Sequence, residues 1–145
     1  PSLVYNKTRV LFGLDEYKDK IKRTKKVILV ESEKSVMKAW QYKLNIPVLA
    51  VGCSNISRHH IERLNILGVE TIIWAQDKGI TEEKVLENNL IRLQRYSNAK
   101  NIKYIDVDDC DILSNKECFL DRSLKDITII FSKYIRSAKD FKIRG

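Results

Sequence analysis

The chain has 145 residues, 43% of them hydrophobic and 32% charged, with a net charge of +8. Those figures describe one globular domain with material for a single core, and exclude a disordered or fibrous chain. No apolar run approaches the ~18 residues of a membrane span, so no membrane partner is expected.

The positive charge favours a polyanionic partner, although a Lys-rich composition accounts for it equally well. Cys53, Cys110 and Cys118 are odd in number and form no Cys-x-x-Cys pair. They imply a reducing compartment and no zinc site. Pro1 at the amino terminus is the expected mark of an excised fragment.

Residues 1–24 read as a helical lead-in, with Leu11, Leu14, Tyr17 and Ile21 at steps of three to four. Five positive charges then fall within seven residues, Lys20 to Lys26. This cluster runs into the first strand and would line the amino end of the sheet. Its Lys22, Arg23, Lys25 and Lys26 are candidates to grip a phosphate backbone; a like-charge run is as readily a solvated edge.

Val27–Val30 is a short apolar run that predicts a strand buried on both faces. It stops at Glu31, and a helical spacing follows through Val36, Met37, Trp40 and Leu44. Glu31 therefore sits at a strand-to-helix turn. In open α/β sheets ligands bind beyond the carboxyl ends of strands, which makes Glu31 a site candidate against a solvated turn residue.

A second run, Pro47–Gly52, ends in Gly52-Cys53-Ser54-Asn55. Ser57 is the expected N-cap of a helix over 58–67, with Ile61 and Leu64 inward and Gly68 ending it. Adjacent His59 and His60 point to different sides of that helix and do not chelate together.

Ile72–Ala75 is the next apolar run, followed by Asp77-Lys78-Gly79. A helix is predicted from Thr81, its N-cap, to about Ser97, with Leu86, Leu90, Leu93 and Tyr96 on one stripe. Lys103–Val107 reads as a fourth strand. Four acids follow in six residues, Asp106 to Asp111, either turn formers or an auxiliary acid cluster.

In the tail, Ile127–Phe131 has β propensity, but Ile127, Ile130, Phe131, Tyr134, Ile135 and Ala138 keep a helical spacing. Length favours a helix beginning near Asp121 or Ser123. The element order is α-βα-βα-βα-β-α. It predicts an α/β fold with a mainly parallel four-stranded sheet and helices on both faces.

Three strands ending in Glu31, Gly52 and Asp77, spaced by about 20–25 residues, resemble the TOPRIM domain, a Rossmann-like fold. Within it, VILVESEKSVMKAW and LAVGCSNIS are similar to primases of the bacterial and phage type, as is the lead-in LVYNKTRVLF. The resemblance covers about residues 3–135 and divides the chain into the lead-in, 1–24, and a TOPRIM domain, 25–145.

It implies the catalytic core of a phage-type DNA primase, making RNA primers on a single-stranded DNA template from nucleoside triphosphates with Mg²⁺ or Mn²⁺. Glu31 would be the general base or a metal-linked carboxylate. Asp77 would be a metal ligand, with Asp121 the nearest match to a further acid downstream. Lys34 and Lys78 would meet phosphate. A replicative helicase is the implied protein partner, and the cytoplasm of a bacterial host the implied place if a phage encodes the chain.

Two positions depart from the family pattern. Aligning Asp77-Lys78-Gly79 with the family's Asp-x-Asp puts a glycine at the second aspartate; the alternative register, Ala75-Gln76-Asp77, loses the first. Ser32 stands where a glycine usually follows the glutamate. An aspartate at Gly79 is expected to tighten metal binding. The departures keep two rival readings open, a TOPRIM nuclease and a degenerate module that only binds nucleic acid. A primase also needs a template-binding subdomain, so this piece alone is expected to be inactive.

Overall fold

The computed structural model describes residues 10–79 and 84–141. Its centre is a five-stranded sheet in the order β2-β1-β3-β4-β5. The strands are β1 (Lys26–Val30), β2 (Val48–Ala50), β3 (Thr71–Trp74), β4 (Asn101–Ile105) and β5 (Ile135–Ser137). The first four are parallel, and β5 runs antiparallel to β4.

Side chains alternate across a strand, so an apolar run without polar interruption must be covered twice. Val27 and Leu29 of β1 join Leu49, Ile72 and Trp74 in one core cluster, while Ile28 and Val30 join Val48, Ala50 and Ile73 in the other. On the first face lie α1 (Leu14–Thr24), α3 (Arg58–Ile66) and α4 (Val85–Tyr96), through Ile21, Ile61, Leu64, Leu90 and Leu93. On the second lie α2 (Glu33–Tyr42) and α5 (Leu124–Lys133), through Val36, Ala39, Ile127 and Ile130.

The α/β class, the mainly parallel sheet and the two helical layers agree with the sequence. The fifth strand does not: the sheet was expected to have four. The helix predicted across the tail ends at Lys133, and Ile135–Ser137 then pair with β4. Ser123 is the N-cap of α5, its hydroxyl accepting from the Asp126 N–H at 3.2 Å. Ser57 caps α3 as expected, and His60 completes a capping box there. His59 is exposed and His60 buried. Thr81, the expected N-cap before α4, lies outside the described residues.

All three cysteines are free. Among the described residues, no helix is long and apolar enough to cross a membrane.

The chain leaves β1 through α2 to reach β2 on one side, then returns through α3 to β3 on the other. The carboxyl ends of β1 and β3 therefore flank the point where the strand order reverses, which is where α/β sheets open a crevice.

Candidate functional site

Glu31 and Asp77 emerge at that crevice. Glu31 follows β1 directly, and its carbonyl accepts the Gly52 N–H at 2.8 Å, locking the ends of β1 and β2 together. Gly52 takes a positive φ of 78°, a conformation that favours glycine. Ser32 has an ordinary extended backbone and caps α2, its hydroxyl accepting from the Lys34 N–H at 3.1 Å. The departure at Ser32 thus has a structural role: it starts the helix that carries Lys34 to the rim.

Asp77 lies past the end of β3, on a segment tied to the loop after β4. The Lys78 N–H donates to the Glu117 carbonyl at 2.9 Å, and the Lys116 N–H donates to the Lys78 carbonyl at 2.7 Å. Asp77 is half-buried. Burial pushes its carboxyl up from 3.8 to about 6, and the negative charges of Glu31 and then Asp121 push the same way. Three acids expected from the sequence therefore share one electrostatic environment.

Asp121 ends a short 3₁₀ helix, Phe119–Asp121. One carboxylate oxygen accepts the Cys118 N–H at 2.8 Å. The other is held by the Lys38 ammonium from α2. Burial pushes this carboxyl up, but the Lys38 hydrogen bond, the Cys118 N–H and the charges of Lys38 and Lys34 outweigh it, so Asp121 sits below its usual value. Beside them Cys118 is buried, which pushes its thiol up to about 12 against weaker opposing hydrogen bonds from Leu120 and Ser35. It is a neutral wall of the site, with no thiolate to offer.

Lys34 is exposed on the first turn of α2, and its charge reaches Asp121. Lys78 is half-buried. Its ammonium donates to the Cys110 carbonyl at 2.6 Å, a structural tie to the neighbouring loop. Lys22, Arg23, Lys25 and Lys26 lie at the end of α1 and the start of β1, across the sheet from Glu31 and Asp77. All four are exposed, and Lys25 pairs with Glu70 at 3.7 Å. The acid run after β4 is held by Arg136 of β5, at 3.7 Å from Asp106 and 3.3 Å from Asp109.

Gly79 stands where an aspartate was expected to tighten metal binding. It has φ +81°, and a Cβ there would meet the Asn115 side chain at 3.0 Å. An aspartate at 79 therefore requires both a left-handed backbone and a shift of Asn115. Any gain in metal binding from an aspartate there comes with that strain.

Among the described residues, no three His, Cys, Asp or Glu side chains are gathered as a metal-holding group. The site does offer hard oxygen donors in Glu31 and Asp77, the donor type that Mg²⁺ takes together with water and substrate phosphate. The raised proton affinity of Asp77 comes first from burial and then from the neighbouring charges of Glu31 and Asp121. This donor pair fits a hydrated divalent ion.

Lys38 was missed in the sequence. Its signal was its spacing: it lies one helical turn after Lys34, so both face the same rim.

No family model matches the chain. It is 40% identical over 103 residues to the SPbeta prophage-derived uncharacterized protein YorJ of Bacillus subtilis (strain 168), a match of 65% of this chain and 27% of that protein. A DNA primase domain from Pseudomonas aeruginosa superposes with a TM-score of 0.70 at 20% identity, over 94% of this chain and 42% of that one. The DnaG catalytic core gives 0.71 at 15%, over 95% and 43%. A DnaG primase catalytic domain bound to single-stranded DNA gives 0.67 at 17%, over 94% and 42%. The chain thus spans less than half of the solved primase chains and about a quarter of the prophage protein. Its fold is that of the TOPRIM-type domain of DnaG primase cores.

Proposed function

We propose that this chain is the metal-binding core of a phage-type DNA primase. Glu31 and Asp77 would hold one Mg²⁺ or Mn²⁺ ion, with Glu31 serving as the general base or as a metal-linked carboxylate. When bound, the ion would neutralise charge on phosphate oxygens during nucleotidyl transfer. Lys34 would meet nucleotide phosphate at the same rim. The cluster of Lys22, Arg23, Lys25 and Lys26 would contact a single-stranded DNA backbone on the opposite end of the sheet. A replicative helicase and a bacterial cytoplasm go with this reading.

One observation carries it: two carboxylates lie at the carboxyl ends of neighbouring parallel strands, close enough that the charge of Glu31 adds to the effect of burial on Asp77. The likeness to primase cores and to a prophage protein supports the same reading.

The test is templated ribonucleotide synthesis with Mg²⁺ in the protein that carries this domain. Glu31→Gln and Asp77→Asn should each lower it by about 100-fold or more. Strand cleavage in place of synthesis would point to a nuclease. Unchanged synthesis in both variants would reject the site.

A second reading has its own observation. The positive φ of Gly79 and the Asn115 side chain beside it disfavour a second aspartate there. A module that binds nucleic acid without catalysis fits that feature. It would show salt-sensitive DNA binding that is indifferent to Asp77→Asn.

A further inference from the structure

Asp121 is the third carboxylate of the rim, yet neither of its oxygens is left without a partner. One accepts the Cys118 N–H at 2.8 Å and the other is held by Lys38. The two partners differ in kind. The backbone bond belongs to the 3₁₀ turn and fixes the carboxylate in place. The lysine supplies a full positive charge in the position where a cation would be attracted.

Lys38 reaches it from α2, 83 residues earlier in the chain. Lys34, one turn before, adds a second positive charge felt by the same carboxylate. Both partners of the ion pair are more than half buried at the side chain, with relative exposures of 39% and 31%. Asp121 is nevertheless an exposed residue, so salt screens the pair as it does other surface bridges.

The balance of formal charge follows. Glu31, Asp77 and Asp121 bring three negative charges; Lys38 pairs with Asp121, which leaves the two carboxylates of Glu31 and Asp77, with the Lys34 charge nearby, to face one divalent ion. The positive φ of Gly79 and the Asn115 side chain beside it disfavour a further anionic ligand there.

We propose that Lys38 is a built-in cation of the site: it withholds Asp121 from metal, so the chain holds a single divalent ion on Glu31 and Asp77. This rests on the metal-site reading above and deepens it. Lys38 is a positioning residue here, acting through Asp121.

The experiment is Mn²⁺ titration of the 145-residue chain, followed by electron paramagnetic resonance, with thermal melting to confirm folding. Lys38→Met should tighten Mn²⁺ binding on the order of tenfold, because it returns a carboxylate to the ion. Asp121→Asn should weaken Mn²⁺ binding by less than Asp77→Asn does, since it removes no ligand but leaves the Lys38 charge unpaired beside the ion. The double variant Lys38→Met/Asp121→Asn should lose the gain, and Lys38→Arg, which preserves the pair, should behave as wild type. A general loss of structure would weaken binding and would not produce a gain that Asp121→Asn cancels.

Asp121→Asn weakening Mn²⁺ as much as Asp77→Asn does would overturn the inference, making Asp121 a ligand and Lys38 a bystander. So would an unchanged affinity in Lys38→Met, or no Mn²⁺ binding in either the wild type or that variant. Failure of the underlying site reading gives a different signature: Mn²⁺ binds, but Asp77→Asn does not affect it.

Discussion

At the scale of single residues, the turn after β3 decides what the site can accommodate. Gly79 combines φ +81° with an Asn115 side chain 3.0 Å from where a Cβ would sit. A left-handed conformation costs an ordinary residue about 1–2 kcal/mol, with Asp among the better tolerated. Gly79→Asp should therefore destabilise the chain by about 1–2 kcal/mol, read as a lower urea midpoint at unchanged slope. Asn115→Ala in the same chain should recover part of that loss by clearing the contact. A Gly79→Asp chain as stable as wild type would show that the turn is not held as described. The places of Asp77 and Glu31 past the strand ends were legible because a charged residue ending an apolar run is conspicuous. The Lys38–Asp121 pair was not legible in the same way. Its partners are 83 residues apart, and nothing local indicates which lysine of a basic chain faces which acid. The tie from the Lys78 ammonium to the Cys110 carbonyl was not legible for the same reason, its partner lying 32 residues away.

At the scale of elements, α2 sets the position of both rim lysines, and Ser32 sets where α2 begins. The Ser32 hydroxyl satisfies the Lys34 N–H, which the first turn of a helix otherwise leaves without a partner. Ser32→Ala should cost about 1 kcal/mol and Ser32→Gly only a few tenths, measured by thermal or urea unfolding. Equal losses in the two would mean that the hydroxyl contributes little. Three strands could be read from the sequence because burial on both faces demands an unbroken apolar run, as in Val27–Val30; the fourth, expected at Lys103–Val107, lies at Asn101–Ile105, where polar residues interrupt the run. The fifth could not. It has three residues, lies at the edge and follows its helix almost without interruption, so Tyr134, Ile135 and Ala138 continue the spacing of α5 by coincidence. What distinguishes it is alternation: Ile135 packs toward the core, and Arg136 turns outward to Asp106 and Asp109. A charged residue on so short an edge strand also discourages pairing with a second chain.

For the whole molecule, the burial of Asp77 beside two other acids appears as a dependence of stability on pH. The Asp77 carboxyl is pushed up to about 6 from 3.8, by burial first and by the charges of Glu31 and Asp121 after it. The folded chain thus holds the Asp77 proton more tightly than the unfolded chain does. Its contribution to stability is fully present below about 4 and is lost as pH rises through about 6. Asp121 moves the opposite way: its lowered value gives stability above the ordinary carboxylate range, lost only on stronger acidification. The interval between about 4 and 6 therefore belongs to Asp77. A shift of this size would correspond to roughly 3 kcal/mol for a group shielded from water, and about 1 kcal/mol after discounting for solvent at a half-exposed carboxyl. Asp77→Asn should then stabilise the metal-free chain at pH 7–8 by about 1 kcal/mol and flatten its stability profile between pH 4 and 6. Urea midpoints of the two proteins at several pH values in chelator-treated buffer would show it. Added Mg²⁺ should reverse the order at pH 7, because a divalent ion stabilises the ionised wild-type pair and gains less from the amide. Two profiles that stay parallel from pH 4 to 8, with and without Mg²⁺, would mean that Asp77 carries no uncompensated charge and that the crevice between β1 and β3 is not an ion site.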